Sequence, residues 1–187
     1  LYDKKMLASE PRYTANNVAA IHLATWEEGF TAIELMVVVA IVAILAALAG
    51  PSFTPLIERW RVRSAAEDLT ATIYFARSEA IKRGGGITID ATGGWGNGWK
   101  VTHTLNGVTT DVQTSPAPTK VALAQNNGKA QIFIDRWGML SETNGGGAAA
   151  MSFPLYPTGK TGTDISAIRL CVASGGRIEQ KKQGAAC

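Results

Sequence analysis

The sequence predicts an α+β fold: a long N-terminal α-helix, transmembrane in its first half and kinked at Pro51, packed on an antiparallel β-rich globular head. Three observations predict it. Residues 30–49 read FTAIELMVVVAIVAILAALA, an apolar run of 20 residues with one charge, Glu34. Residues 56–80 then repeat apolar side chains at steps of three or four. Beyond the three glycines Gly84, Gly85 and Gly86 that period gives way to short β-rich runs separated by turn residues.

The apolar run sets the first element. A helix of that length spans ~30 Å, about the thickness of a bilayer core. Apolar residues surround it on every side, so it needs lipid or other helices, whereas a helix at the edge of a soluble core carries only a stripe. Gly50-Pro51 and then Pro55 follow. A proline within a helix removes one hydrogen bond and clashes with the preceding turn, so a kink is expected here. Helical patterning resumes at once: Leu56, Trp60, Ala66, Leu69, Ile73, Ala76 and Ala80 form one apolar face, with arginines and acids between them. That face is made for a folded partner. The glycine triplet closes the helix.

The expected segments are a leader over residues 1–29, an apolar helix over 30–50, its amphipathic continuation over 51–83, and the head over 84–187. Expected strands cover 87–90, 99–105, 108–113, 130–135, 149–155 and 165–174. Asn106-Gly107 between the second and third is a hairpin signal. Residues 144–147 and 157–162 read as loops.

Composition bounds the function. The 187-residue chain is 46% hydrophobic and 18% charged with a formal net charge of +3, which argues against disorder and only permits contact with anionic partners. Cys171 and Cys187 are the only cysteines. They suit one disulfide closing a C-terminal loop in an oxidising compartment, with two unrelated thiols as the alternative. No CxxC is present, and His22 and His103 have no suitably spaced ligand partners, so neither a metal nor another cofactor is expected. Thr158-Gly159-Lys160-Thr161 looks like the end of a phosphate-binding loop, but Pro154 occupies the place where that loop needs glycine. No nucleophile is paired with a base, so no enzymatic reaction is expected. Trp95 and Trp99 read as core anchors, with a binding platform as the alternative.

The junction GFTAIELM at Gly29–Met36 resembles the processing site of type IV pilins and type II secretion pseudopilins. The resemblance implies cleavage between Gly29 and Phe30 by a prepilin peptidase and N-methylation of Phe30. The family's acidic residue near the new N-terminus corresponds to Glu34, and its helix proline to Pro51. Further on, RSEAIKRG at Arg77–Gly84, GWGNGWKV at Gly94–Val101, IFIDRWG at Ile132–Gly138 and LCVASGGRIE at Leu170–Glu179 resemble the GspH/FimT group of minor pilins. This implies a subunit held in the inner membrane with its head in the periplasm, then assembled with other pilins into a pilus or a pseudopilus.

Physical chemistry gives Glu34 a matching role. A lone carboxylate in a bilayer core is costly and calls for a partner. The amine of a cleaved Phe30 on a neighbouring subunit is one; the alternative is a side chain that reaches the interface near the helix end. A count of basic residues runs against the expected topology, because Arg59, Arg61 and Arg63 follow the span while Glu27 and Glu28 precede it. The processing motif outweighs that count, since the arginines lie about ten residues past the span. Some relatives of the FimT type bind DNA through a Gly-Arg-x-Arg stretch. Here the stretch is Gly176-Arg177-Ile178-Glu179, followed by Lys181 and Lys182. Arg177, Lys181 and Lys182 are thus DNA-binding candidates, and a solvated charged loop is the alternative.

Overall fold

The computed structural model describes residues 29–187, apart from the side chains at 49–52. Most of the expected leader, with His22, Glu27 and Glu28, lies outside the described residues. The chain divides into two compact units at Ile44/Leu45.

One helix, α1 (Ala32–Arg83), has 52 residues and runs through that boundary. It is bent between Leu48 and Phe53. Every described side chain from Phe30 to Leu48 is exposed, as expected of an apolar rod without a core of its own. The helix ends in a Schellman motif. Gly84 takes φ +78°, and the Gly85 amide donates to the Ala80 carbonyl at 2.8 Å. Only glycine adopts that backbone cheaply, so the triplet stops the helix as the sequence predicts.

The head holds nine strands: β1 (Ile87–Asp90), β2 (Trp99–Leu105), β3 (Val108–Ser115), β4 (Val121–Leu123), β5 (Gln131–Ile134), β6 (Leu140–Ser141), β7 (Met151–Pro157), β8 (Ile168–Val172) and β9 (Ile178–Lys182). They form two sheets, in the orders β3-β2-β1-β5-β6 and β4-β7-β8-β9, and every pairing is antiparallel. The β2–β3 hairpin turns at Asn106 and Gly107, both with positive φ, as an Asn-Gly turn requires.

The inner faces of both sheets share one core with α1. Val62, Leu69, Ile73, Ala76 and Ala80 meet Ile87, Ile89, Val101 and Ile132 of the first sheet and Phe153, Leu155, Leu170 and Val172 of the second. Trp95 and Trp99 are buried, which selects the core-anchor reading. Trp95 packs edge-on to Phe153 at 5.0 Å between ring centroids, and its Nε1 donates to the Lys129 carbonyl at 2.7 Å. The Trp99 Nε1 donates to Thr72 Oγ1 of α1 at 3.0 Å, so its polar atom is satisfied inside the core.

One expectation needs correction. Leu56 and Trp60 do not belong to the core-facing stripe: they are 61% and 69% exposed, and burial of α1 begins at Val62. His103 lies on the same face of β2 as Val101, since β2 pairs with β1 without interruption and sets Val101 opposite Ile89 and His103 opposite Ile87; it is half-buried at the edge of the core. The bulge in the β2–β3 pairing falls on β3, where Val112 is the extra residue between Gln113, opposite Val101, and Asp111, opposite Thr102.

Candidate functional site

The first candidate site is the start of α1. Thr31 precedes the helix and Glu34 lies in its first turn. The Glu34 amide donates to Thr31 Oγ1 at 3.2 Å, and the Thr31 amide donates to Glu34 Oε2 at 3.3 Å. This reciprocal pair is a capping box: it satisfies two amides that the helix leaves open and puts a carboxylate at the positive end of the helix dipole. Sequence reasoning missed it, although Thr-x-x-Glu at 31–34 is its signature. Gly29 and Phe30 lie just outside the helix, and Phe30 is 85% exposed. Among the described residues no single straight helix is long and apolar enough to cross a membrane. Ala32–Leu48 and Phe53–Arg83 meet that criterion together, by length and composition.

The second candidate is the basic C-terminal region. Cys171 and Cys187 are disulfide-bonded, with Cα atoms 5.5 Å apart. The bridge is anchored on β8, and its ring encloses β9, so residues 178–182 form an edge strand and not the solvated loop weighed as an alternative. Strand geometry separates the three candidate cations. Arg177 Nη1 and Lys181 Nζ both contact the Glu179 carboxylate, at 2.7 and 3.1 Å. The Lys181 hydrogen bond, then the charge of Arg177, holds the Glu179 carboxyl below its ordinary range. Lys182 is adjacent in sequence and therefore points to the opposite face of β9. Lys181 and Lys182 both line a groove with Arg59 and Arg63 of α1. Two of the three cations are thus partly neutralised by Glu179, and Lys182 makes no contact with it.

The phosphate-loop-like Lys160 also has a structural role. Its Nζ contacts Glu58 of α1 at 2.5 Å and Asp164 at 3.5 Å, which ties the β7–β8 connection to the helix.

The residue that sequence reasoning missed most completely is Arg77. Its guanidinium donates to the carbonyls of Gly138 at 2.7 Å, Gly175 at 3.0 Å and Gly176 at 3.3 Å. One side chain on α1 thereby holds the β5–β6 turn and the β8–β9 turn together. The three segments RSEAIKRG, IFIDRWG and LCVASGGRIE meet at this point. Glycine is needed at position 176, because its φ is +80° and a Cβ there would clash with the guanidinium of Arg77.

Comparison with known proteins follows the same outline. A family model, type II transport protein GspH, matches residues 65–178. Two fimbrial proteins of Pseudomonas aeruginosa are each 34% identical over 108 residues, 58% of this chain and 59% of the relative. The chain thus matches about three-fifths of their length. Two crystal structures of the type IV minor pilin FimU of Pseudomonas aeruginosa share the fold. One aligns with TM-score 0.56 at 22% identity, covering 69% of this chain and 94% of FimU. The other aligns with TM-score 0.54 at 23% identity, covering 67% and 96%. Since more than half of the residues fall within the matched model, the chain belongs to the GspH family of minor pilins and pseudopilins, structural subunits and not enzymes.

Proposed function

We propose that this subunit is a minor pilin of a type IV pilus, cut between Gly29 and Phe30 by a prepilin peptidase and assembled through α1 into the filament, near its tip. The observation that carries the reading is the exposure of the whole apolar segment from Phe30 to Leu48 on a helix whose later turns are buried in the head. Such a surface is stable only in lipid or against similar helices. Before assembly the segment spans the inner membrane with the head in the periplasm. Afterwards it packs among other pilins. Pro51 is assigned the bend in α1, because it falls in the bent stretch and lacks an amide to donate. N-methylation of Phe30 follows cleavage. The Glu34 carboxylate leaves its capping contact and pairs with the N-terminus of a neighbour, so that neither charge is stranded among apolar helices.

The fimbrial relatives and the FimU fold favour the pilus. A pseudopilin of a type II secretion system is the second reading, favoured by the description of the family model. A DNA receptor for natural transformation is less well supported, because Glu179 engages both Arg177 and Lys181.

Three variants separate the roles of Glu34. Glu34→Gln keeps the capping geometry and loses the charge. Thr31→Ala loses the cap and keeps the charge. Glu34→Ala loses both. If the charge pairs with a neighbour's N-terminus, all three insert into the membrane, but both Glu34 variants fail to enter filaments and Thr31→Ala enters normally. Incorporation of Glu34→Gln at the wild-type level would refute the pairing.

A further inference from the structure

The turns of α1 that follow the bend carry an apolar face that the head does not cover. Phe53, Leu56, Ile57 and Trp60 stand at helical spacings of three and four residues, and each is 45–69% exposed. At 100° per residue Arg61 flanks one side of this face, and Arg59 and Arg63 flank the other. On the second side the helix borders the groove containing Lys181 and Lys182, about 440 Å³ in volume, which no Asp or Glu lines. Nearby acids are already engaged: Glu67 with Arg63, Glu58 and Asp164 with Lys160, and Glu179 with Arg177 and Lys181. Arg59 and Lys182 form no ion pair among the described residues. An apolar stripe with a tryptophan, edged by arginines, is the pattern of a helix lying in a membrane interface.

We infer that residues 53–63 and the Arg59–Arg63–Lys181–Lys182 groove form a docking surface for anionic phospholipid headgroups, holding the head against the bilayer until the subunit is withdrawn into a filament. This rests on the reading that residues 30–49 span the membrane. Given that span, Arg59 follows its end by ten helical residues, at most ~15 Å along the axis. The headgroup layer adds about 5–8 Å beyond the hydrocarbon, and the surface potential reaches a further 8 Å or so at physiological salt. The groove is therefore within reach of the headgroups. Exposed Ile165 at its rim extends the apolar contact. The same surface gives the count of basic residues past the span a local role, independent of topology.

The test uses the full chain in lipid nanodiscs of neutral phosphatidylcholine, or of phosphatidylcholine mixed with phosphatidylglycerol. A water-soluble amine-reactive reagent labels exposed lysines, and exposed Lys120 on the β3–β4 connection is the internal control. The expected result is that Lys181 and Lys182 are shielded in the anionic discs only, while Lys120 reacts equally in both. High salt should abolish the shielding. Replacing Arg59 and Arg63 by Gln should weaken docking by about fivefold per cation lost. Equal labelling in both discs would overturn the inference. So would shielding by a short duplex DNA in neutral discs without shielding by anionic lipid, which would assign the groove to nucleic acid. Retention in neutral discs reports on the span alone, so failure to insert and failure to dock are read separately.

Discussion

Arg77 shows how much of the head's geometry rests on single side chains. Its three acceptors are main-chain carbonyls in two turns distant in sequence, so no side-chain pattern announces the contact. Hydrogen bonds from a charged donor contribute more than neutral ones, and Arg77→Ala is expected to destabilise the head by about 2–4 kcal/mol. Arg77→Lys should recover only part of that, because an ammonium lacks the planar fork. Urea unfolding in detergent micelles checks both. Gly176→Ala should be as damaging as Arg77→Ala, since it combines positive φ with the clash on the guanidinium. Glu79 supplies the pH dependence. It is buried, and Arg83 Nε lies 2.6 Å from its carboxylate. That hydrogen bond, aided by the charges of Lys82 and Arg83 and opposed by burial, holds the carboxyl below its ordinary range. The folded state thus favours the ionised form. Its contribution is present above the unfolded value of about 4.3 and is lost as pH falls through the lower folded value. Stability should fall on acidification below about pH 4.5, and less steeply in Glu79→Gln. Asp164 and Glu179 are shifted in the same direction, so the difference between variant and wild type is the readout.

At the scale of elements, α1, β1, β2, the hairpin turn and the glycine stop were legible because each has a local physical signal. The signals are helical period, strand alternation, positive φ at Asn-Gly, and a chain that cannot continue a helix through three glycines. Leu56 and Trp60 were misassigned for an equally physical reason. Periodicity shows that a helix has an apolar face, but not which turns meet the head and which meet lipid or a neighbour. Leu69→Ala should therefore cost about 2–5 kcal/mol in unfolding, while Leu56→Ala should stay within about 0.5 kcal/mol. Three strands were not read from sequence. β4 and β6 have three and two residues, too short to show a period. β9 reads IEQKK and lies at a sheet edge, where charged side chains suit the exposed position and disguise the strand. The capping box at Thr31–Glu34 was legible but overlooked, because Glu34 already had a role in the resemblance.

At the scale of the whole molecule, one sequence serves two environments: an exposed apolar helix, and a head closed on its own core and stapled by one disulfide. The staple encloses a loop with a sequence separation of 16, and on the chain-entropy estimate its removal by Cys171→Ser with Cys187→Ser costs about 3 kcal/mol. The loss should appear in urea unfolding of the non-reduced protein and vanish when wild type and variant are compared under reducing conditions. The central claim, that α1 is freed by cleavage to pass from lipid into a stack of similar helices, concerns the other end of the chain. Mass spectrometry of the N-terminus of the protein recovered from sheared filaments tests it most directly. The account predicts a mature chain beginning at N-methylated Phe30; a protein that still carries Gly29 and the residues before it, or that begins within α1, would contradict it.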